Sequence, residues 1–371
     1  MQWCKSVLVH ECDAGSIAGG VAVRIFLLGA KSIAYAMILM SLWGCATMPT
    51  PATLAAARTD PAVTLANRQS SGGPSYREGY FGEGEARLHY VEAGEGPLII
   101  LYHGFPSFWY SWFDQMEELK HCYRVVAVDA LGAGLSAKPL DSEPYRVERL
   151  AAQLEALSQH IAPGDRYILM GHDWGAALSW TYAQHYPERL HQLVVMSAPP
   201  YNLFVRLAAQ DAEQQARSQY MQRFRAISYD QIVSGAIPAT LWQQSYGGII
   251  SSGAISVEEG ELFRAALSDP RAVNGGMNWY RANLVDFASL NRINPWPGRF
   301  ASTTVPTLLL WGDDDQTFVP RFLDLAPEYA SDLRIVRLPG VGHWTSMQRP
   351  ELANSAITQF LGNEARCPAR G

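Results

Sequence analysis

The stretch GHDWGAA at residues 171–177 decides the fold of this chain. It follows the short apolar run YILM (167–170) and precedes a segment with helical character. A strand that turns sharply into a helix and presents a side chain at the tip needs small neighbours, and Gly171 and Gly175 supply them. The tip residue of such a turn is usually serine, but here it is Asp173. The sequence therefore predicts a strand–turn–helix motif that presents a carboxylate.

Strands and helices alternate on both sides of this turn. Continuous apolar runs are typical of strands buried on both faces of a sheet, and they predict strands over 97–102, 123–129, 167–170, 193–197 and 305–311. The strand–helix order continues with a last predicted strand over 333–338. Another strand, antiparallel and early in the chain, is predicted over 87–92. The order predicts an α/β fold with a mostly parallel, doubly wound sheet. Such sheets bind ligands at the carboxyl ends of their strands, where Asp173 lies.

The chain order divides the 371 residues into four parts. We expect the α/β core over 79–200 and 300–365. Residues 201–299 are rich in aromatic residues and lack the strand–helix alternation, which predicts an inserted helical cap. Residues 46–78 are rich in Ala, Thr, Pro, Ser and Gly and show no sustained apolar period, so we predict a flexible linker there.

Residues 1–45 have the layout of a bacterial export signal. Arg24 and Lys31 precede the apolar run AYAMILM (34–40), and the segment ends at Cys45. The Gly-Cys ending resembles a lipoprotein signal, in which the cysteine becomes lipidated, although the bulky Trp43 departs from that pattern. We therefore expect an exported protein, periplasmic or tethered to the membrane through Cys45. Simple secretion and an uncleaved signal anchor are the alternatives.

An aspartate at the turn favours covalent catalysis at saturated carbon. The free N–H groups and the positive dipole of the following helix stabilise the ionised Asp173. A carboxylate is already a nucleophile, and its attack on an epoxide or an alkyl halide leaves an ester on the enzyme. Hydrolysis of that ester needs a base and an orienting acid. His343, after the last predicted strand, is the candidate base, and the candidate acids follow the strand before it: Asp313, Asp314 and Asp315.

Backbone N–H groups are expected to stabilise the oxyanion that forms during ester hydrolysis. A fold of this kind takes one N–H from the residue after the nucleophile, here Trp174, and one from the loop after an earlier strand. The stretch HGFP (103–106) lies in that loop and nominates the Phe105 N–H, with His103 shaping the loop. The expected reaction implies no metal or organic cofactor, and the five cysteines show no metal-ligand spacing. The net charge of −6 gives no electrostatic reason to expect a nucleic acid partner.

Three motifs of this chain resemble the α/β-hydrolase superfamily, and within it the branch of epoxide hydrolases and haloalkane dehalogenases. They are HGFP (103–106), GHDWGA (171–176) and GHW (342–344). The resemblance covers about 79–365, cap included. In that family the acid lies a few residues before a Val-Pro pair, which implies Asp315.

The resemblance also bears on the substrate. Epoxide hydrolases carry two cap tyrosines that bind and protonate the epoxide oxygen, and the matching positions here are Tyr280 in NWYR and Tyr220 in YMQRF. Family dehalogenases often have asparagine where this chain has Phe105, and those acting on fluoroacetate usually have arginine in place of Trp174.

We therefore expect an enzyme that opens a small apolar epoxide to a vicinal diol with water, through an ester on Asp173. Haloalkane or haloacid dehalogenation by the same nucleophile is the first alternative. A non-catalytic binding lipoprotein on the same scaffold is the second. The oligomeric state is left open by the sequence.

Overall fold

A computed structural model describes residues 60–69 and 75–362 of the chain. The predicted export signal over 1–45 and its Cys45 lie outside these residues and stay predictions. Among the helices in the described part, none has both the length and the apolar character needed to cross a membrane.

Eight strands form a single sheet. Their bounds are β1 Arg77–Phe81, β2 Leu88–Ala93, β3 Leu98–Tyr102, β4 Arg124–Asp129, β5 Tyr167–His172, β6 Leu190–Met196, β7 Thr307–Gly312 and β8 Leu333–Leu338. The spatial order is β1-β2-β4-β3-β5-β6-β7-β8. Strand β2 pairs antiparallel with β1 and with β4, whereas every pairing from β4 through β3 to β8 is parallel. The predicted doubly wound α/β sheet is therefore confirmed.

Helices cover both faces of the sheet, so its central strands are buried. The core helices are Phe113–Leu119, Val147–Ile161, Trp174–His185, Arg321–Leu325, Thr345–Gln348 and Pro350–Leu361. Strands β3, β5 and β7 are buried along their whole length, which explains their continuous apolar runs. Strand β8 lies at the edge of the sheet, with no further strand beside it. It carries two charged side chains, Arg334 and Arg337, as edge strands commonly do.

The chain between β6 and β7 forms only helices, placed where the sequence predicts the cap. They are Tyr201–Ala208, Ala212–Arg217, Gln219–Ala226, Tyr229–Ser234, Ile237–Ser251, Val257–Ala266 and Pro270–Asn283, followed by the short 3-10 helix Phe287–Arg292. The helix Pro270–Asn283, here called the last cap helix, buries ten residues against its surroundings.

The prediction of a flexible linker over 46–78 was wrong at the residues that the structure describes. Residues Pro61–Gln69 form a helix whose apolar side chains Ala62, Val63, Leu65 and Ala66 join the core. The Asp60 N–H donates to Glu78 Oε1 at 2.6 Å, and strand β1 already begins at Arg77. A helix this short is stabilised mainly by tertiary packing, which composition does not reveal.

Candidate active site

The turn between β5 and the helix Trp174–His185 holds Asp173 in a strained conformation. Its φ is 54° and its ψ is −122°, a region that costs free energy for any residue with a side chain. The turn is close enough to its neighbours that a Cβ on Gly171 would collide with the Gly175 carbonyl. A Cβ on Gly175 would collide with the Tyr102 carbonyl. These glycines therefore permit the close packing that exposes Asp173 to the pocket.

The structure brings Asp173 together with the predicted base and acid. His343 Nε2 lies 3.4 Å from Asp173 Oδ2, and His343 Nδ1 lies 2.8 Å from Asp315 Oδ2. The Asp315 side chain is fully buried, and its Oδ1 accepts the Thr317 N–H at 2.7 Å. Asp313, by contrast, pairs with Arg337. Of the three aspartates in this loop, Asp315 is the one that reaches the histidine.

The charges of these three groups stabilise one another. Burial lowers the pKa of His343, but the carboxylates of Asp315 and Asp173 outweigh burial and raise it to about 10. Burial raises the pKa of both aspartates, while His343 brings each of them below its ordinary value. At neutral pH the free site therefore holds two carboxylates and an imidazolium.

A second histidine supports the loop that carries the base. His172 Nε2 donates a hydrogen bond to the backbone oxygen of His343 at 2.8 Å. Burial, followed by the charge of His343, lowers the pKa of His172 to about 4. His172 is therefore neutral and acts here as a hydrogen-bond donor to the backbone.

The residues between β3 and Trp109, here called the oxyanion loop (103–108) after its predicted role, direct an N–H group at Asp173. The Phe105 N–H donates to Asp173 Oδ1 at 2.9 Å. His103 Nε2 accepts the Ala130 N–H at 3.0 Å, so its Nδ1–H donates to the Gly104 oxygen at 2.7 Å. Because that oxygen and the Phe105 N–H belong to one peptide plane, His103 fixes the direction of the N–H. The Trp174 N–H also stabilises the Asp173 carboxylate.

The two predicted cap tyrosines lie together beside this site. The ring centroids of Tyr220 and Tyr280 are 6.2 Å apart, and the Tyr280 ring lies 5.1 Å from that of Trp174. Burial and the charge of Asp173 raise the pKa of Tyr280 well above its ordinary value. Burial and Tyr280 do the same for Tyr220. Both hydroxyls therefore keep their protons and can donate them.

Asparagine side chains of the last cap helix attach Tyr280 to the core. Asn278 Nδ2 donates to the backbone oxygen of Leu140 at 2.9 Å, and Asn283 Nδ2 donates to the backbone oxygen of Tyr145 at 2.8 Å. Sequence reasoning missed this role. The available signal was the placement of these polar residues on a helix whose other side chains are largely apolar.

An apolar pocket opens beside Asp173. Apart from Asp173, its walls are apolar or aromatic: Trp174, Ala177, Ala198, Pro199, Tyr201, Phe204, Met221 and Phe318. The hydroxyl of the wall residue Tyr201 donates to the backbone oxygen of Asn283 at 2.5 Å. The pocket suits an uncharged, hydrophobic substrate next to one reactive carboxylate.

Known proteins are similar to this chain over most of its length. Residues 97–350 match the model of the family described as alpha/beta hydrolase fold. Epoxide hydrolase 4 of Mus musculus is 31% identical over 337 residues, which cover 89% of this chain and 90% of that protein. The AB hydrolase superfamily protein YfhM of Bacillus subtilis is 28% identical over 75% of this chain and 95% of its own length.

Solved structures point to the same relatives. A crystal structure of a mutant epoxide hydrolase from Bacillus megaterium superposes with a TM-score of 0.70 at 26% identity, covering 77% of this chain and 100% of that chain. Another mutant of that enzyme, complexed with its naphthyloxy-propanediol product, has a TM-score of 0.69 and covers 75% of this chain and 97% of its own.

Proposed function

Since this chain belongs to the α/β-hydrolase superfamily and resembles its epoxide hydrolases, we propose that it opens epoxides to vicinal diols through an ester on Asp173. One observation carries the proposal: two cap tyrosines, Tyr220 and Tyr280, pack together beside Trp174 and the Asp173 carboxylate, which borders an apolar pocket. An epoxide needs both a nucleophile at carbon and a proton donor at oxygen. The relatives named epoxide hydrolases support the same reaction.

In the first step the Asp173 carboxylate attacks an epoxide carbon. Oδ1 accepts the Phe105 N–H, so we assign the attack to Oδ2 and the future ester carbonyl to Oδ1. A new C–O bond forms as the ring C–O bond breaks. The electron pair of the broken bond goes to the epoxide oxygen, which takes a proton from Tyr220 or Tyr280. The product is a hydroxyalkyl ester on the enzyme.

In the second step water hydrolyses this ester. His343, oriented by Asp315, removes a proton from the water, and the resulting hydroxide attacks the carbonyl carbon of Asp173. The negative charge then develops on Oδ1, where the N–H groups of Phe105 and Trp174 stabilise it. Collapse of this intermediate breaks the ester bond, and the departing oxygen takes the proton that His343 removed from the water, which releases the diol. The second proton of the water leaves the restored Asp173 carboxyl and returns through solvent to the tyrosinate formed in the first step.

The charge of the nucleophile controls when the base becomes active. In the free site the negative Asp173 contributes to the raised pKa of His343. Ester formation removes that charge, so the pKa of His343 falls and the neutral imidazole becomes more populated. The histidine is therefore a poor base before the ester forms and a better one afterwards.

This coupling predicts a difference in pH dependence between two states of the protein. We expect His343 to titrate at a lower pH in the ester than in the free protein, by about one pH unit or more. NMR titration of the free protein gives the first value. The pH dependence of ester decay in single-turnover experiments gives the second. Equal values would contradict the proposed control of His343 by the Asp173 charge.

The function itself is tested by diol formation from a panel of epoxides with aryl, alkyl and aryloxymethyl substituents. We expect the full chain to convert at least one of them. We expect Tyr280→Phe to lower the rate of ester formation by about 10²-fold, because it removes one of two donors to the epoxide oxygen, and to leave ester hydrolysis nearly unchanged. Rapid-quench mass spectrometry separates the two steps.

A matched control is Tyr229→Phe, since Tyr229 is a partly buried cap tyrosine outside the described group of rings formed by Tyr220, Tyr280 and Trp174. This variant should form the ester at the wild-type rate. Absence of diol from every epoxide, together with release of halide from haloalkanes, would replace the proposal with dehalogenation by the same aspartate. Unchanged ester formation in Tyr280→Phe would remove the tyrosine from the mechanism.

A further inference from the structure

Behind the oxyanion loop lies a buried group of charged side chains that the proposed mechanism does not use. It consists of Asp60, His89 and Asp129, each of them buried. One nitrogen or oxygen atom of each side chain lies within 4.8 Å of the others. Asp129 ends strand β4 and His89 lies on β2, whereas Asp60 comes from the segment before the first strand.

The Asp129 carboxylate links the sheet to the end of the oxyanion loop. Its Oδ2 accepts hydrogen bonds from His89 Nδ1 at 2.7 Å and from the Leu135 N–H at 2.8 Å. Its Oδ1 accepts the Trp109 N–H at 2.8 Å. The backbone of Trp109, which directly follows the loop, is therefore attached to the sheet.

The Asp60 carboxylate holds the side chain of the same tryptophan. Its Oδ2 accepts the Trp109 indole N–H at 2.6 Å, and its Oδ1 accepts the Ala62 N–H at 2.8 Å. Every carboxylate oxygen of Asp60 and Asp129 thus accepts a hydrogen bond. This arrangement fits a hydrogen-bonded charge network better than a site waiting for a cation.

The oxyanion loop is consequently attached at both of its ends. At the start, His103 is held by the Ala130 N–H, next to Asp129 in the chain. At the finish, Trp109 is held by Asp129 through its backbone and by Asp60 through its indole. The Phe105 N–H lies between these attachments, so a movement of either end changes its direction.

We propose that Asp60 is a positioning residue for ester hydrolysis, acting through the Trp109 indole on the oxyanion loop. This proposal rests on the proposed function. The helix Pro61–Gln69, which directly follows Asp60, then contributes to catalysis through this contact and does not serve only as a connection to the preceding residues. Burial, followed by the charge of Asp129, raises the pKa of the Asp60 carboxyl, and the hydrogen bond from the Trp109 indole lowers it. A buried carboxylate needs such a hydrogen-bond partner.

The effect should concentrate on one chemical step. In the free protein the Phe105 N–H binds a carboxylate that already carries its charge, whereas in hydrolysis it must stabilise a charge that develops on the ester oxygen. Misdirection of this N–H should therefore slow ester hydrolysis more than ester formation. A purely structural role would lower both in proportion to the fraction of folded protein.

The test uses the full chain with Asp60→Ala and the milder Asp60→Asn, which removes the charge and keeps an oxygen acceptor. We expect Asp60→Ala to slow ester decay by about ten- to a hundredfold while ester formation changes by less than about threefold. The ester should then accumulate as added mass on the peptide that contains Asp173. Asp60→Asn should show the same pattern to a smaller extent.

Two further variants separate positioning from helix capping. Ser228 caps the cap helix Tyr229–Ser234 by accepting the Gln231 N–H, so Ser228→Ala removes a helix cap away from the loop and should leave both steps unchanged. Trp109→Phe removes the indole N–H. In that background Asp60→Ala should add little, because the connection is already broken.

Equal slowing of both steps, or an undiminished effect of Asp60→Ala in the Trp109→Phe protein, would overturn the proposal. If the wild-type chain forms no ester from any epoxide, the proposed function fails instead. The positioning claim is then decided by ¹⁵N NMR. Asp60→Asn should shift the Phe105 amide resonance whereas Ser228→Ala should not, and an unshifted Phe105 amide in the Asp60→Asn protein would reject it.

Discussion

With Asp173 replaced by alanine, we expect diol formation to fall by at least about 10⁴-fold, to the level of the uncatalysed reaction in most assays. The reason is that, among the described residues that line the pocket, Asp173 alone carries a carboxylate. Asp315 is committed to His343 Nδ1 at 2.8 Å, on the side of the imidazole away from the pocket. Steady-state diol assays measure the loss, and intact mass spectrometry should show no substrate-derived mass on the variant.

The matched control is Asp313→Ala, since Asp313 lies in the loop of the acid but pairs with Arg337 at 2.7 Å. It should retain nearly full activity. Asp173→Ala protein with turnover within tenfold of wild type would contradict a covalent mechanism. Such a result would favour direct attack of water on the epoxide, with His343 as the base.

Replacing His343 with glutamine should separate the two steps. We expect ester formation to persist, because the Asp173 carboxylate needs no base, and ester hydrolysis to slow by about 10³- to 10⁴-fold. One turnover should therefore convert the protein into a stable ester. Peptide mass spectrometry should locate the added substrate mass on Asp173. The steady-state rate of diol formation should fall to the same extent as the rate of ester hydrolysis.

His160→Gln is a suitable control, because His160 is an exposed residue at the end of the helix Val147–Ile161. It should turn over like the wild type. If His343→Gln neither forms diol nor accumulates ester, the histidine acts in the alkylation step as well. If it turns over at the wild-type rate, another group is the base.

Local sequence was sufficient to predict the parts of the site that are determined by backbone geometry. The turn at Asp173 needs glycine on both sides, and the structure shows the close contacts that require it. The apolar runs predicted the buried strands because strands covered on both faces tolerate few polar residues. The order of these strands then placed Asp173, Phe105 and His343 at one edge.

Other parts of the site depend on contacts between distant segments. Residue type alone left Asp313, Asp314 and Asp315 equivalent, and the family resemblance selected the one that the structure brings to His343. The role of Asp60 could not be predicted, because its partner Trp109 comes from another part of the chain. A helix stabilised by such contacts carries only a weak signal in its own sequence.

The attachment of the last cap helix has a consequence for how such an enzyme can diversify. That helix buries ten residues and fixes Tyr280, whereas the helix Gln219–Ala226, which carries Tyr220, buries Met221. Substitutions that reshape the pocket therefore disturb little packing on the Tyr220 side and much on the Tyr280 side. Selection for new substrates, in nature or in the laboratory, should find its tolerated mutations around Tyr220.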